Sequence, residues 1–290
     1  MKARFEIVFS MAAFGTIGVF VRNIPLASGE LALYRAVIAV TALLLWQACT
    51  GQFIKVLDIK KELPLLFLSG AAMSVNWILL FEAYRYTTVA MATLSYYFAP
   101  VIITVSSTLL FRERLTSRQV FCFVMSTFGL VLVIGVSSGG GSNDLLGILL
   151  GLGAALFYAA VVLLNKGIRN VSGLNRTFLQ FIAAILVMMP YVFLTGGSHL
   201  GSLDLAGTVN LLVVGIFHTG VCYCIYFSSL RYLRGQEASI LSYIDPLVAV
   251  VVSVLLLHER VLPLQAAGGC MILGFTVLNE WNPGTREHRG

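Results

Sequence analysis

The sequence predicts an all-α membrane protein of ten transmembrane helices, arranged as two inverted five-helix repeats with both termini cytoplasmic. Three observations lead there. Apolar residues make up 58% of the 290-residue chain and charged residues only 11%, against about a quarter charged in soluble domains; mean hydropathy is +0.91. Lysine and arginine gather in alternate connections between apolar stretches. The stretch Tyr97–Arg114 returns as Tyr243–Arg260, 146 residues later.

Ten apolar stretches, each roughly 17–25 residues and so long enough to cross a bilayer, lie near 5–21, 31–49, 63–84, 89–111, 119–137, 145–165, 175–195, 207–230, 236–257 and 263–280. The first opens on Lys2 and Arg4 like a signal peptide. Its long apolar run and the absence of an A-x-A cleavage pattern predict a retained helix instead. It stops at Arg22-Asn23-Ile24-Pro25. The second span opens at Glu30 and carries Arg35 about one turn in. A lysine-bearing connection, Gln52–Glu62, leads to span 3, which joins span 4 through Arg85-Tyr86-Thr87-Thr88. Arg112–Arg118 returns the chain. Ser137–Asp144, with no aliphatic residue and no Lys or Arg, reads as a flexible Gly/Ser connector at the midpoint. It divides a first repeat (1–137) from a second (145–281), with 138–144 as the linker and 282–290 as a cytoplasmic tail. The second half repeats the plan of the first.

The net charge of +6 is a topology signal. With the N-terminus inside, fifteen Lys and Arg residues fall on the cytoplasmic side, only Arg22, Arg85 and Arg260 fall outside, and Arg35 lies within a span. That asymmetry orients the chain and implies the bilayer, with no nucleic acid, as the partner of the basic belt. The five cysteines all lie in or at the ends of apolar spans without CxxC or Cys/His spacing. They read as small buried hydrophobes, and no metal or cofactor is called for.

The repeat is more than shared greasiness. An ungapped overlay of Phe81–Arg114 on Phe227–Arg260 gives 12 identities in 34 positions, among them Arg85/Arg231, Tyr97/Tyr243, Pro100/Pro246, Ser107/Ser253 and Glu113/Glu259. Each half holds five spans, an odd number, so the second half enters the membrane upside down relative to the first. Inverted repeats are a hallmark of secondary transporters, with the substrate site near the midplane between the halves; a channel also permits the arrangement.

These features resemble the drug/metabolite transporter superfamily, specifically its EamA-type members. The likeness spans nearly the whole chain: ten spans, two five-span halves, and in the fourth span of each half a proline followed by Glu-Arg, here Pro100 with Glu113-Arg114 and Pro246 with Glu259-Arg260. Arg35 early in span 2 also fits, whereas its counterpart in span 7, Gln180, departs from a symmetric charge. The resemblance implies transport of a small metabolite, often efflux, across the bacterial inner membrane, without fixing the substrate.

Several residues are candidates for the mechanism. Pro100 lies roughly 16 Å into span 4 at 1.5 Å per residue, and Pro246 is about as deep in span 9. Helix-interior prolines would free the carbonyls of Tyr96 and Ser242, giving two symmetric hinges for alternating access or simply two kinks that shape the bundle. Asp245, beside Pro246, is an ionisable group near the midplane, where it needs a cavity or a partner. It is a candidate substrate-amine or proton site, and proton coupling would follow; a locally bonded Asp is the alternative. Its repeat counterpart is Ala99. His218, Cys222, Tyr226 and Ser229 share a face of span 8; Asn76 and Trp77 of span 3 align with Cys222 and Tyr223. Tyr96, Pro100, Thr104 and Ser107 form a stripe on span 4, and span 6 adds Tyr158 and Asn165. With Tyr97 and Tyr243, these either line one pocket or bond neighbouring helices.

Such a lining carries no midplane Lys or Arg cluster of the kind phosphate recognition needs. Aromatic and neutral polar walls suit an amino acid or related amphipathic solute, or a lipophilic cation. Arg35 and Glu82, both toward the outer half of their spans, are expected to form an interhelical ion pair. Glu113-Arg114 and Glu259-Arg260 are expected to fasten helix ends or act as gates. Neither G-x-S-x-G nor clustered aspartates suggest an intramembrane enzyme, no phosphate-binding G-x-x-x-x-G-K-[ST] loop suggests ATP-driven transport, and a structural subunit would not need matched inverted repeats. The expected function is secondary transport of a small amphipathic metabolite, with export favoured, and multidrug efflux as the alternative. The oligomeric state is not legible.

Overall fold

The computed structural model describes residues 2–51, 56–99, 101–103, 105–106, 116–137, 144–168, 171, 173–230, 241 and 243–280. Every regular element among them is helical. In chain order the α-helices are α1 (Lys2–Gly15), α2 (Ile17–Arg22), α3 (Ser28–Thr50), α4 (Leu63–Tyr86), α5 (Val89–Tyr96), α6 (Ser117–Ser137), α7 (Asp144–Lys166), α8 (Gly173–Thr195), α9 (Leu205–Leu212), α10 (Cys222–Leu230), α11 (Ile244–Leu255) and α12 (Pro263–Glu280), with short 3-10 helices at Val56–Glu62 and Leu200–Ser202. A π-helical stretch, Val213–Val221, fuses α9 to α10. Six segments are long and apolar enough to cross a membrane: Lys2–Arg22, Ser28–Thr50, Ile59–Tyr86, Asp144–Asn165, Gly173–Thr195 and Leu205–Tyr226; α5, α6, α11 and α12 belong to shorter apolar segments.

Local chemistry sets the ends. The Thr88 side chain accepts from Met91 N–H at 3.1 Å and so caps α5, and Asp204 caps α9 by accepting from Gly207 N–H at 2.7 Å; both satisfy first-turn donors that have no intrahelical partner. Gly51, at φ +67°, ends α3 in the left-handed conformation that glycine adopts without penalty.

The helices pack as a single bundle. α4 lies against α7 and α8, α3 against α8 and the π stretch, α1 against α10 and α11, α5 against α7 and α11, and α6 against α12. Exchanging each helix with its counterpart in the other copy of the sequence repeat maps this set of neighbours onto itself. The α4–α7 pair becomes α10–α1, α4–α8 becomes the π stretch on α3, and α5–α7 becomes α11–α1; α3–α8, α5–α11 and α6–α12 each map onto themselves. Phe81 and Phe181 are buried at the middle of the largest apolar cluster, with Leu43, Trp77 and Met188.

Between α1 and α11 the backbones nearly touch. A Cβ placed on Gly15 would lie 2.5 Å from the Asp245 carbonyl oxygen and 2.7 Å from Val248 Cβ. Small residues permit such approach in membrane bundles, where close packing replaces the hydrophobic drive between helices. Gly15→Ala therefore forces α1 off α11. It should cost about 1–3 kcal/mol, as overpacking does, read as a fall of several degrees in the melting temperature in detergent.

The proline expectation needs correcting. Pro246 is not in a helix interior: α11 begins at Ile244, with Tyr243 preceding it, so Pro246 occupies the first turn. There its missing N–H removes no intrahelical bond, which is why proline is tolerated at such a position. In the first half, α5 ends at Tyr96, Tyr97 and Phe98 form a turn, and helix resumes at Ala99. Each half thus starts a helix just before its repeated proline. Pro100 itself, Thr104, Ser107, Glu113 and Arg114 lie outside the described residues, as do Ser242, most of the Gly/Ser linker and the C-terminal tail.

Candidate substrate site

Repeat-related turns meet at the centre of the bundle. Tyr97, in the turn after α5, donates its hydroxyl to Asp245 Oδ2 at 2.6 Å, so the two halves are joined by one hydrogen bond at the repeated motif itself. Around it the rings of Tyr96 and Tyr97 (5.6 Å between centroids), Tyr96 and Tyr158 (5.6 Å), and Tyr97 and Tyr243 (6.2 Å) form a tyrosine cluster. Asn76 on α4 fixes one side: its amide donates to the Ala154 carbonyl of α7 at 2.6 Å and its side chain also bonds the Tyr96 hydroxyl. An acid, four phenols and an amide thus converge where α4, α5, α7 and α11 meet. Chemically, the carboxylate accepts from a cationic donor, the hydroxyls exchange hydrogen bonds, and the rings cover apolar or cationic surface.

Arg35 does not pair with Glu82. Its guanidinium carbon stands 4.6 Å from the Trp77 ring centroid and 5.1 Å from that of Phe81. Glu82 bonds the Ser28 hydroxyl and lies 3.5 Å from Arg85. The reason is angular: one residue beyond Phe81, the α4 surface has turned about 100°, and Glu82 reaches α3 at its first residue rather than two turns further along at Arg35.

The stripe His218–Cys222–Tyr226–Ser229 is also placed differently from the pocket expectation. His218 is buried, within 2.9 Å of the Thr16 hydroxyl through Nε2 and 3.3 Å of the Val213 carbonyl through Nδ1, with the Phe20 ring at 5.0 Å. Cys222 is fully buried, Tyr226 packs on Ile7 and Met11, and Ser229 bonds Glu6. This face grips α1 and α2. The face of α10 turned to the centre is marked by Tyr223, whose ring lies 5.5 Å from Phe181 and whose hydroxyl is within electrostatic reach of both Arg35 and Asp245. Tyr84 likewise senses both charges. The sequence offers Tyr223 only as the repeat counterpart of Trp77, and gives no signal for Tyr84, two turns from Trp77 on α4.

A second constellation ties α2, α5 and the end of α11 together. Glu259 accepts from Val89 N–H at 3.0 and 3.2 Å, pairs with Arg22 at 2.5 Å and bonds the Ser253 hydroxyl. Arg22 also donates to the Thr87 carbonyl at 2.7 Å. His258, at φ +53°, turns the chain after α11 so that Glu259 points back to the N-terminus of α5, where a carboxylate is favoured by the exposed N–H groups. Glu259 thereby ties α11 to α2 and α5, while Arg260 is exposed.

The matching turns, the swapped neighbours and the junction of the halves at Tyr97 and Asp245 accord with one family, and the model of the EamA-like transporter family matches residues 2–135 and again 145–280. The chain belongs to the EamA-like transporter family. Membership and six membrane-length apolar helices make it a multi-pass membrane transporter, not an enzyme. Among its relatives, an uncharacterized transporter, YxxF, of Bacillus subtilis (strain 168) is 32% identical over 272 residues, covering 92% of this chain and 86% of that one. A probable amino-acid metabolite efflux pump of Escherichia coli (strain K12) is 27% identical over 178 residues, 58% of this chain and 60% of the pump. A solved crystal structure superposes with a TM-score of 0.64 at 14% identity, covering 95% of this chain and 94% of the other; that likeness shows the EamA chain's fold alone.

Proposed function

We propose that the protein is a secondary transporter that exports a small amphipathic metabolite, an amino acid or a related amine-bearing solute, across the bacterial plasma membrane by alternating access. In this reading ten spans form two inverted five-helix repeats with both termini cytoplasmic, and Asp245 receives the substrate amine or a coupling proton. The observation that carries it is the Tyr97–Asp245 hydrogen bond across the two halves, inside a tyrosine cluster. A carboxyl at that depth is costly unless it has a partner or a cargo, and a site shared by both halves changes whenever they rock. Helices that start beside Pro100 and Pro246 offer the pivots. The relative named as a probable amino-acid metabolite efflux pump supports the choice of solute. With Glu259 latched on Arg22 and α5, the outer end of the bundle is closed.

Efflux of lipophilic cations is the second reading, favoured by the same rings and acid. A proteoliposome screen separates the two: labelled amino acids and labelled lipophilic cations are offered with and without an imposed pH gradient. Counterflow of an amino acid is expected; movement of cations alone would favour the second reading, and no movement of any small solute would sink both.

A further inference from the structure

Arg35 is a charge that the tyrosine site leaves unexplained. It is 5% exposed, about 10 Å into α3 at 1.5 Å per residue, and no salt bridge joins it to any carboxylate among the described residues. Its Nε has no hydrogen-bond partner. Trp77 and Phe81 stabilise the flat faces of the guanidinium, but rings do nothing for its N–H edge, which is a fork built to hold a carboxylate. A buried cation with an unmatched donor is destabilising, so its presence in an apolar bundle asks for an acceptor that arrives from outside.

We propose that Arg35 is the carboxylate receptor of the substrate site, and that the cargo is an amino acid bound as a zwitterion, its carboxylate on Arg35 and its ammonium on Asp245. The inference rests on the transporter reading above and deepens it. Arg35 and Asp245 come from opposite halves. Arg35 lies on the ring of Trp77, the neighbour of Asn76, whose amide bonds Ala154 one turn before Tyr158 of the cluster, and Asp245 accepts from Tyr97 in that same cluster. Among the described residues no ion pair joins the two. One positive and one negative group there sum to zero, which complements a zwitterion. An inorganic phosphate or an organic acid would be held by Arg35 and repelled by Asp245; an amine or lipophilic cation would suffer the reverse. Arg35 thus acts as a specificity-determining residue, selecting against the cations that Asp245 and the rings alone would admit.

The test is counterflow in proteoliposomes of the full chain. The twenty amino acids are compared with their decarboxylated amines, for instance leucine with isopentylamine and phenylalanine with phenethylamine, in wild type, Arg35→Gln and Arg35→Lys. The wild type should exchange an amino acid about 100-fold better than its amine. Arg35→Gln should reverse that preference, losing the amino acid while gaining the amine, and retained amine exchange reports that the variant is folded. Arg35→Lys, which keeps the charge but not the fork, should raise the half-saturation concentration about tenfold. Amino-acid exchange by Arg35→Gln within threefold of wild type would overturn the proposal. So would loss of both solutes in Arg35→Gln with unchanged half-saturation in Arg35→Lys, which assigns Arg35 to structure. A wild type that moves amines and no amino acid overturns this inference but leaves the transporter reading standing; silence towards both removes the reading itself.

Discussion

Asp245→Asn abolishes transport while leaving the bundle folded. The amide is nearly isosteric with the carboxyl and keeps an oxygen to accept the Tyr97 hydroxyl, which bonds Asp245 at 2.6 Å, so the junction of the halves survives. What it loses is the charge. A buried ion pair deprived of one partner is weakened by about 3–5 kcal/mol, and each 1.4 kcal/mol is tenfold. Counterflow of the substrate should therefore fall by roughly two to three orders of magnitude, with an unchanged melting temperature in detergent. Tyr97→Phe removes only a hydrogen bond to the acid and keeps the ring, so its loss should be smaller, roughly ten- to a hundredfold, as expected of about 1.5–3 kcal/mol for a bond to a charged group. Full activity of Asp245→Asn across the pH range would exclude Asp245 from both substrate binding and proton coupling.

Breaking the Glu259 latch is the second large effect. Glu259 gathers Arg22, the Val89 N–H and the Ser253 hydroxyl on one carboxylate whose side chain is 6% exposed. Glu259→Ala strands three donors at once and should destabilise the protein by about 3 kcal/mol, several degrees of melting temperature for a chain of this size. Arg22→Ala should cost less, since that side chain is 32% exposed and water takes its place. The double variant should be less destabilised than the sum of the two, by about 1–3 kcal/mol, as residues in contact are. Strict additivity in that cycle would mean that the two side chains do not act as a latch.

The helical membrane character was legible because it depends on composition alone, and the family because Pro100/Pro246 and the Glu-Arg pairs keep one register across 146 residues. The join of the halves was legible in part: Asp245 stood out as a midplane acid and Tyr97 as a repeated pocket candidate, but not their pairing, since periodicity does not show which turn approaches which. The helix starts beside the prolines were missed because a proline in a first turn and one in a helix interior leave the same apolar pattern. The Val213–Val221 π stretch has no composition of its own, so the sequence left open whether the face of span 8 that meets α1 lines a pocket or bonds neighbouring helices. Arg35 was paired with Glu82 on depth alone; the angular position of Phe81 and Trp77 on α4 decided otherwise. Five of the sequence candidates, Pro100, Thr104, Ser107, Glu113 and Arg114, lie outside the described residues.

The most direct test of a substrate site at Asp245 is its chemical modification. Dicyclohexylcarbodiimide, which reacts with carboxyl groups in apolar surroundings, is added to proteoliposomes of the wild-type protein, and the rate of modification at Asp245 is followed by mass spectrometry with increasing concentrations of an amino acid that the protein exchanges. If the acid receives the cargo, modification slows in step with saturation of counterflow. An unchanged rate at Asp245 under saturating amino acid would contradict a substrate site between the two halves.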